Sequence, residues 1–186
     1  HVASEKGFPD CRDIVYVDCS ASGNWHPNGD GYWNADGFGA ERRVRGIVYI
    51  DCKAFNNTDG GWDDKSANPV LIDCVAMRNK RNFRFWSHPG PAVLTNCISA
   101  YSINHKSGNP GDGLWVASEA AVRAENMTIY ANGTAIVLEA DGAPTFCQML
   151  DSIVARGDHS RLSRVENGGE LSLTDSVKAV IGDAKT

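Results

Sequence analysis

A short motif built around a cysteine returns along the chain, and this repeat restricts the possible folds more than any other feature. The motif appears as VDCSA, IDCKA, IDCVA and TNCIS, around Cys19, Cys52, Cys74 and Cys97. Related segments, AENMTIY and LDSIVA, continue the series at Met127 and Ser152, with steps of 33, 22, 23, 30 and 25 residues. Unequal steps with a minimum near 22 residues are typical of stacked coils that carry loop insertions.

An asparagine follows this marker position at a constant distance in most repeats. It stands at Asn24, Asn57, Asn79 and Asn132, whereas the repeat around Cys97 has Asn104, two positions late. A side-chain amide carries both donors and an acceptor, so equivalent asparagines of adjacent coils can bond one another in an inward turn. The sequence therefore predicts an asparagine ladder.

A second register contains alternating apolar residues, as expected for strands with one face turned to a core. Its first inward position holds Phe38, Trp62, Phe83, Leu114 and Ile136. Two residues later stand Ala40, Asp64, Phe85, Val116 and Leu138, which are mostly apolar. The residues that alternate with them would point outward, since successive side chains of a strand face opposite sides.

These patterns predict an all-β fold, a right-handed parallel β-helix. Each coil would contain one strand that ends at the cysteine and another that follows the asparagine. Stacking such coils about 4.8 Å apart pairs their backbones and closes a continuous core. The right hand follows from the crossover rule for parallel strands. A β-sandwich is the alternative, but it gives no reason for Cys and Asn to repeat in fixed register.

Length and composition fit a single domain. With 186 residues and 42% hydrophobic content, residues 1–186 are expected to form one β-helix. The final segment, VKAVIGDAKT, has the pattern of a further coil, so we expect a fragment of a longer helix with its C-terminal coils truncated. The six cysteines form no CxxC pair and are expected to be buried small apolar residues without a function of their own.

The charge pattern limits the possible partners. A net charge of −5 and the lack of a basic cluster argue against nucleic acid and against anionic membrane. No run of 18 apolar residues is present, so no membrane-spanning helix is expected. We expect a monomer.

Acidic residues gather where strands of the second register begin. Asp36 and Asp59 lie in the turns that lead into two such strands, one coil apart, and Asp63 lies at an outward position of the second strand. Carboxylate oxygens are the hard ligands that Ca²⁺ takes in proteins. Asp before Gly is also ordinary in tight turns, so the spacing alone leaves both interpretations open.

The segments that carry these acids resemble a known enzyme family. NADGFGAE, then FNNTDGGWD one coil on, then NFRFW in the coil after that, are similar to the central coils of family 9 polysaccharide lyases, a pectate-lyase group with a right-handed β-helix. The resemblance covers residues 34–86 best, and DGGWD is its more specific part. It implies a secreted, periplasmic or cell-surface enzyme that cleaves an acidic polysaccharide such as polygalacturonate by calcium-assisted β-elimination.

The resemblance also implies the roles of single residues. It implies Ca²⁺ as the cofactor, bound by Asp36, Asp59 and Asp63. The family motif carries a second acid where this chain has Gly60, and the family's Brønsted-base lysine aligns with Arg84. Arg84 is therefore the expected catalytic base, although an arginine normally keeps its proton.

Other basic and aromatic residues at outward positions are candidates for substrate binding. They are Lys65, Lys80, Trp86 and Trp115. The two lysines are also alternative bases, and the two indoles offer flat faces to sugar rings, with burial under a loop as an equal alternative. His105, in the longest insertion, is a weaker candidate.

Two other functions fit the same residues. A non-catalytic β-helix, serving as a carbohydrate-binding or surface module, would account for Gly60 and Arg84. A hydrolase would need paired carboxylates on either side of a glycosidic bond, for which Asp63 and Asp64 are the neighbours. Alternation turns Asp64 inward, which counts against the hydrolase.

Overall fold

A computed structural model describes the chain from His1 to Val180, except for residues 5, 8, 27–33, 87–89, 142 and 157–159. Residues 181–186, the end of the segment predicted to begin a further coil, lie outside the described residues. Over the described ranges the chain forms twenty β-strands and contains no helix that could cross a membrane.

The strands are short and follow one another at regular intervals. The first ten are β1 Cys11–Val17, β2 Ser20–Ser22, β3 Phe38–Ala40, β4 Val44–Ile50, β5 Lys53–Phe55, β6 Gly60–Asp64, β7 Val70–Ile72, β8 Val75–Met77, β9 Arg81–Trp86 and β10 Pro91–Thr95. The next ten are β11 Ile98–Ala100, β12 Asp112–Ala117, β13 Ala121–Glu125, β14 Thr128–Tyr130, β15 Thr134–Glu139, β16 Phe146–Leu150, β17 Ile153–Arg156, β18 Arg161–Glu166, β19 Glu170–Thr174 and β20 Val177–Val180.

The strands wind in coils of three, and each coil gives one strand to each of three sheets. Sheet 1 has the order β1-β4-β7-β10-β13-β16-β19, sheet 2 the order β2-β5-β8-β11-β14-β17-β20, and sheet 3 the order β3-β6-β9-β12-β15-β18. Every pairing between these strands is parallel. Coil 1 contains β1 to β3, and coil 6 contains β16 to β18. The predicted all-β parallel β-helix is confirmed.

The prediction of two strands per coil was wrong, because the structure has three. The strands that the sequence did not reveal are those of sheet 2, which begin directly after the cysteine position. They contain only three or four residues each. Three residues are too few for a period of two to be visible in a sequence.

The turn between sheets 1 and 2 explains the cysteine motif. The residue before each of the six markers has a left-handed backbone with φ between 47° and 55°, and it is always an aspartate or an asparagine: Asp18, Asp51, Asp73, Asn96, Asn126 and Asp151. These two residue types tolerate that conformation better than other residues with a side chain. The residue after each marker donates its N–H to the carbonyl of the preceding marker, as in Val75 N to Cys52 O at 3.0 Å and Ile153 N to Met127 O at 2.9 Å. The predicted alignment of the six markers is confirmed.

The turn between sheets 2 and 3 contains the predicted asparagine ladder, with one change of member. Its members are Asn24, Asn57, Asn79, Asn82 and Asn132, each donating from Nδ2 to Oδ1 of the next at 2.9–3.1 Å. Asn104 is not in the ladder, because the insertion places it in a turn where its Oδ1 accepts from Lys106 N. Asn82, three residues after Asn79 in the same coil, takes the ladder position between Asn79 and Asn132.

The inward positions of sheet 3 match the predicted register. Trp62 pairs with Phe38 and with Phe83, with ring centroids 4.8 and 5.0 Å apart in stacked geometry. Asp64 also points inward and is fully buried. Its carboxylate accepts from Ser66 Oγ at 2.6 Å and from the Tyr49 hydroxyl at 3.2 Å.

The surroundings of Asp64 argue against the hydrolase. Burial raises the pKa of Asp64 to about 6 despite these hydrogen bonds. Because the side chain lies inside the coil, it cannot flank a glycosidic bond together with Asp63 on the outside.

Candidate active site

The outer face of sheet 3 consists of columns of residues that the strand register fixes. One column contains Gly39, Asp63, Arg84, Trp115, Val137 and Arg164, in the order of coils 1 to 6. A second column lies nearer the start of the strands and contains Gly60, Arg81, Asp112, Thr134 and Arg161. Charged groups in mutual contact concentrate on these columns in coils 2 to 4.

We call the contacting residues the charge cluster. They are Asp36, Asp59, Asp63, Lys65, Lys80, Arg81, Arg84, Trp86 and Trp115. The structure thus places on one face all the residues that the sequence assigned to catalysis, metal binding and substrate binding, apart from the weaker candidate His105. It adds Arg81, which the sequence analysis missed.

Asp59 lies beneath three cations. Only 2% of the residue is exposed. Its Oδ1 lies 3.1 Å from Arg81 Nη1 and 3.4 Å from Lys80 Nζ, and its Oδ2 lies 3.5 Å from Arg84 Nη1. A buried carboxylate of this kind depends on its counter-ions, because charge removed from water must be compensated by neighbours.

Asp63 has a similarly complete set of partners. The indole Nε1 of Trp86 donates to its Oδ1 at 2.6 Å, and its Oδ2 lies 3.3 Å from Lys65 Nζ and 3.5 Å from Arg84 Nη1. Lys65 in turn donates to Glu41 Oε1 at 2.9 Å. Although burial acts against the charged amine, the carboxylates of Glu41 and Asp63 leave the pKa of Lys65 raised.

Asp36 differs from the other two acids. Its Oδ1 accepts from the backbone N–H of Gly60 at 2.6 Å, and no ion pair to it is present among the described residues. Burial, together with the negative charges of Asp63 and Asp59, raises the pKa of Asp36 to about 7. The cluster therefore contains a carboxyl group that is only partly ionised near neutral pH.

The Arg84 guanidinium lies between two indoles. Its central carbon is 4.8 Å from the ring centroid of Trp86 and 4.9 Å from that of Trp115. Arg81 contributes a second cation 5.2 Å from the Trp115 ring. Such contacts stabilise a cation in place. With two carboxylates beside it as well, Arg84 is built as a fixed positive charge, which does not suit the role of proton acceptor.

The same contacts revise the expected role of the indoles. Trp115 is 7% exposed, and the ring of Trp86 has Lys65 Nζ 4.8 Å from its centroid in addition to Arg84. The rings therefore act as platforms for cations, and a sugar ring would have to compete with these cations for the indole faces. Between them the rings hold Arg84 at a defined place on the surface.

The carboxylates as arranged do not fit a bound calcium ion. Asp59 and Asp63 already have four basic partners, and no group of three acidic, histidine or cysteine side chains with metal-binding geometry occurs within the described part of the chain. A calcium ion needs six to eight oxygen ligands and would have to displace these cations. A Cβ added at Gly60 would lie 2.8 Å from Asp36 Oδ1, so the second acid of the family motif would require the Asp36 carboxylate to shift.

Arg81 was missed because the strand does not alternate at its start. Asn82 turns into the asparagine ladder and Phe83 enters the core, so both of these consecutive residues are buried. Strict alternation counted back from Arg84 therefore places Asn82 on the outer face, where the structure has Arg81. The sequence signal for Arg81 is its place directly after Lys80, a candidate for substrate binding.

His105 lies beside the cluster. Its Nε2 is 2.7 Å from the carbonyl oxygen of Arg78, and its ring contacts Trp25. The insertion that carries it is anchored where Ile103 N donates to Asn79 O at 2.9 Å, one residue before Lys80.

Comparison with known proteins supports the architecture. No family model and no curated protein sequence matches the chain. Among solved structures, the crystal structure of a mutant of the periplasmic alginate epimerase AlgG is similar, with a TM-score of 0.70 at 11% sequence identity. The match covers 90% of this chain and 40% of the epimerase chain, so this chain spans well under half of that protein. At this level of identity the likeness shows a shared β-helix fold.

Proposed function

We propose that this chain belongs to a polysaccharide lyase that binds a uronate polymer across the outer face of sheet 3 and cleaves it by β-elimination. The observation that carries the proposal is the charge cluster, in which three carboxylates, four cations and two indoles from adjacent coils meet on one face. The resemblance of residues 34–86 to pectate-type lyases supports it, as does the fold shared with a periplasmic alginate epimerase.

The cations would bind the carboxylate of the sugar. Lys80 and Arg81 have side chains that are 30% and 23% exposed, so they form the solvent side of the cluster above the buried Asp59. The Nε of Arg81 and that of Arg84 are buried without a hydrogen-bond partner in the described residues. A substrate oxygen would reach these N–H groups only after a shift of the neighbouring side chains, but the positive charge at that place stabilises the charge that develops on the uronate carboxylate during elimination.

Lys80 is the proton acceptor in this proposal, and Arg84 is the positioned cation. β-Elimination removes the proton α to the uronate carboxylate, moves its electron pair into a new carbon–carbon double bond, and breaks the neighbouring bond to the leaving sugar oxygen, which then takes a proton. Lys80 is more exposed than Lys65 and has two guanidinium groups around the same Asp59 carboxylate. A base must come within hydrogen-bond reach of the proton that it removes, and of the two lysines Lys80 is the one whose side chain is more open to a bound polymer.

Calcium stays a prediction of the family resemblance. Because the cations occupy the carboxylates, the charge of the substrate is neutralised in this proposal by arginine and lysine. The location follows from the substrate: such polymers occur outside the cytoplasm, and the structural neighbour is periplasmic. We therefore propose a secreted, periplasmic or cell-surface protein.

One assay tests the reaction. Polygalacturonate and alginate are incubated with the protein, with calcium or with a chelator, and the absorbance of the unsaturated product is followed. The expected result is product formation that survives the chelator, is abolished in Lys80→Ala and is strongly lowered in Arg84→Ala. Full activity of Lys80→Ala would move the proton transfer to Lys65 or back to Arg84.

A non-catalytic carbohydrate-binding module is the second candidate. It is favoured by one observation, that every described cation of the cluster already has a carboxylate partner. Binding of polygalacturonate by the wild-type protein, with neither unsaturated product nor new reducing ends, would establish the module and reject the lyase.

A further inference from the structure

An exposed tryptophan stands near the charge cluster. Trp25 is 54% exposed. It directly follows Asn24, the first member of the asparagine ladder, as Lys80 directly follows Asn79. The two residues therefore follow the ladder at the same point of their coils, although sheet 3 begins directly after Lys80 in coil 3 and only at Phe38 in coil 1.

The backbone around Trp25 is tied to the segment that carries Asp59. Thr58 N donates to Asn24 O at 3.0 Å, and His26 N donates to Thr58 Oγ1 at 3.4 Å. Thr58 is the residue before Asp59. These two hydrogen bonds hold the backbone on either side of Trp25 next to the segment that carries Asp59.

His105 contacts Trp25 from the insertion between β11 and β12 in coil 4. The two ring centroids are 6.1 Å apart with an interplanar angle of 67°. His105 belongs to coil 4 and Trp25 to coil 1, so the pair spans the coils that contain the cluster. The hydrogen bond of the histidine ring to Arg78 O and the anchored insertion hold the pair in place.

We propose that Trp25 and His105 form an additional sugar subsite, in which a pyranose ring of the bound polymer stacks on the indole. This subsite rests on the proposed function, because it uses the polymer that the cluster binds. Just over half of Trp25 is exposed, so part of its indole presents apolar surface to water. The apolar C–H face of a pyranose covers such a surface favourably, and tryptophan provides a large contact area with little loss of side-chain freedom.

The position of the pair predicts a dependence on ligand length. Trp25 stands on coil 1 and Lys80 on coil 3, two coil spacings of about 4.8 Å apart, so one sugar unit bound by Lys80 and Arg81 is not expected to cover the indole as well, and only a longer oligomer occupies both places. Trp25 should therefore contribute to the affinity for long oligomers and little to that for the shortest ones.

Calorimetric titration with a galacturonate dimer and a galacturonate octamer tests the subsite, with product absorbance followed in the same samples. Trp25→Ala is expected to lower octamer affinity about tenfold, which corresponds to about 1.4 kcal/mol, and dimer affinity less than about twofold. Trp25→Phe should retain most of the octamer affinity. Phe146→Ala is the matched control, since Phe146 is 44% exposed but lies on sheet 1, and it should bind both ligands as wild type does.

The outcomes separate the two proposals. Unchanged octamer affinity in Trp25→Ala, or equal losses for dimer and octamer, would overturn the subsite while wild-type binding upholds the polymer site. If the wild-type protein binds neither oligomer, the proposed function fails and the subsite fails with it.

Discussion

The outer face of sheet 3 contains two regions that share a scaffold and differ in their chemistry. In coils 2 to 4, Arg84 lies between two carboxylates and two indoles, and its side chain is 14% exposed. In coils 5 and 6, the same column holds Val137 and Arg164. Arg164 also contacts two acids, Glu139 at 2.6 Å and Glu166 at 3.2 Å, but its side chain is 38% exposed.

The difference lies in what the neighbouring turns supply. Strand pairing is alike in the two regions, so backbone geometry alone does not make a site. In the first region, Asp36, Asp59 and Lys80 reach the face from the turns that precede the strands, and they bury the charges they meet. Exposed ion pairs like those of Arg164 contribute little to stability, whereas buried ones make each partner dependent on the others.

The largest effect is expected from removing the buried acid of the first region. Asp59→Ala leaves Lys80, Arg81 and Arg84 without their shared carboxylate and should lower the free energy of unfolding by about 3 kcal/mol, the low end for a buried pair because the cations are partly exposed. Glu139→Ala, the matched change at Arg164, should lower it by less than about 1 kcal/mol. Urea denaturation measures both. Equal losses would show that the two regions are equally solvated.

The second prediction uses the unusual acid of the first region. Since the pKa of Asp36 is raised from 3.8 to about 7, its contribution to stability is complete below pH 4 and is lost as the pH rises to 7. Asp36→Asn keeps an oxygen for the Gly60 N–H and removes this loss. The variant should therefore be more stable than wild type at pH 8, by a few kcal/mol at most, since one pKa unit corresponds to about 1.4 kcal/mol.

Denaturation curves between pH 4 and 8 measure this effect. Glu166→Gln, at the exposed pair of coil 6, is the control and should follow the wild-type profile. Calcium added to the wild-type protein should leave the fall in stability between pH 4 and 7 in place. If calcium removes the fall, the three carboxylates bind it, and the cofactor that the family resemblance implies is correct.

The third prediction compares two arginines of one column. Arg81 and Arg161 occupy equivalent register positions, but Arg81 belongs to the cluster and Arg161 does not. Arg81→Ala should weaken polygalacturonate binding about tenfold, and Arg161→Ala by less than about twofold. Binding isotherms at constant salt give both values, since contacts with charged polymers weaken as ionic strength rises. A loss in both variants would mean that the polymer contacts the whole length of the sheet.

The sequence predicted the features that repeat once in each coil. The marker column from Cys19 to Ser152 and the inward column from Phe38 to Ile136 repeat because every coil must bury the same position, and both were confirmed. The predicted place of Asn104 was wrong, because an insertion lets another residue of suitable chemistry take over the vacated position. Asn82 does this from a different point of the chain, which no count along the sequence can show.

The contacts of the site depend on side-chain rotamers and turn shapes as well as on the repeat. The sequence placed Asp63, Arg84 and Trp115 on one outer column, as the structure does. It did not show that the indoles pack against cations, nor that Asp59 lies under three basic side chains, because these contacts come from rotamers and turn shapes. Sequence spacing fixes which column a residue occupies, while the charge on its neighbours decides whether it can act as a base, a ligand or a fixed cation.

The smallest difference is expected between two buried cysteines, one from each region. Cys74 is a marker residue of coil 3, and Cys147 lies on β16 of coil 6. Burial raises the pKa of the Cys147 thiol to about 12, whereas a hydrogen bond with Cys97 lowers the pKa of Cys74. A thiol reagent should label at most the half-buried Cys11 and Cys19 in the native protein and reach the other cysteines only on unfolding, because the thiolate is the reactive form. Mass spectrometry of labelled peptides gives the rate for each site. Faster labelling of Cys147 than of Cys74 would show that the C-terminal coils open on their own, and the weaker ion pairs of coils 5 and 6 would then be part of the reason.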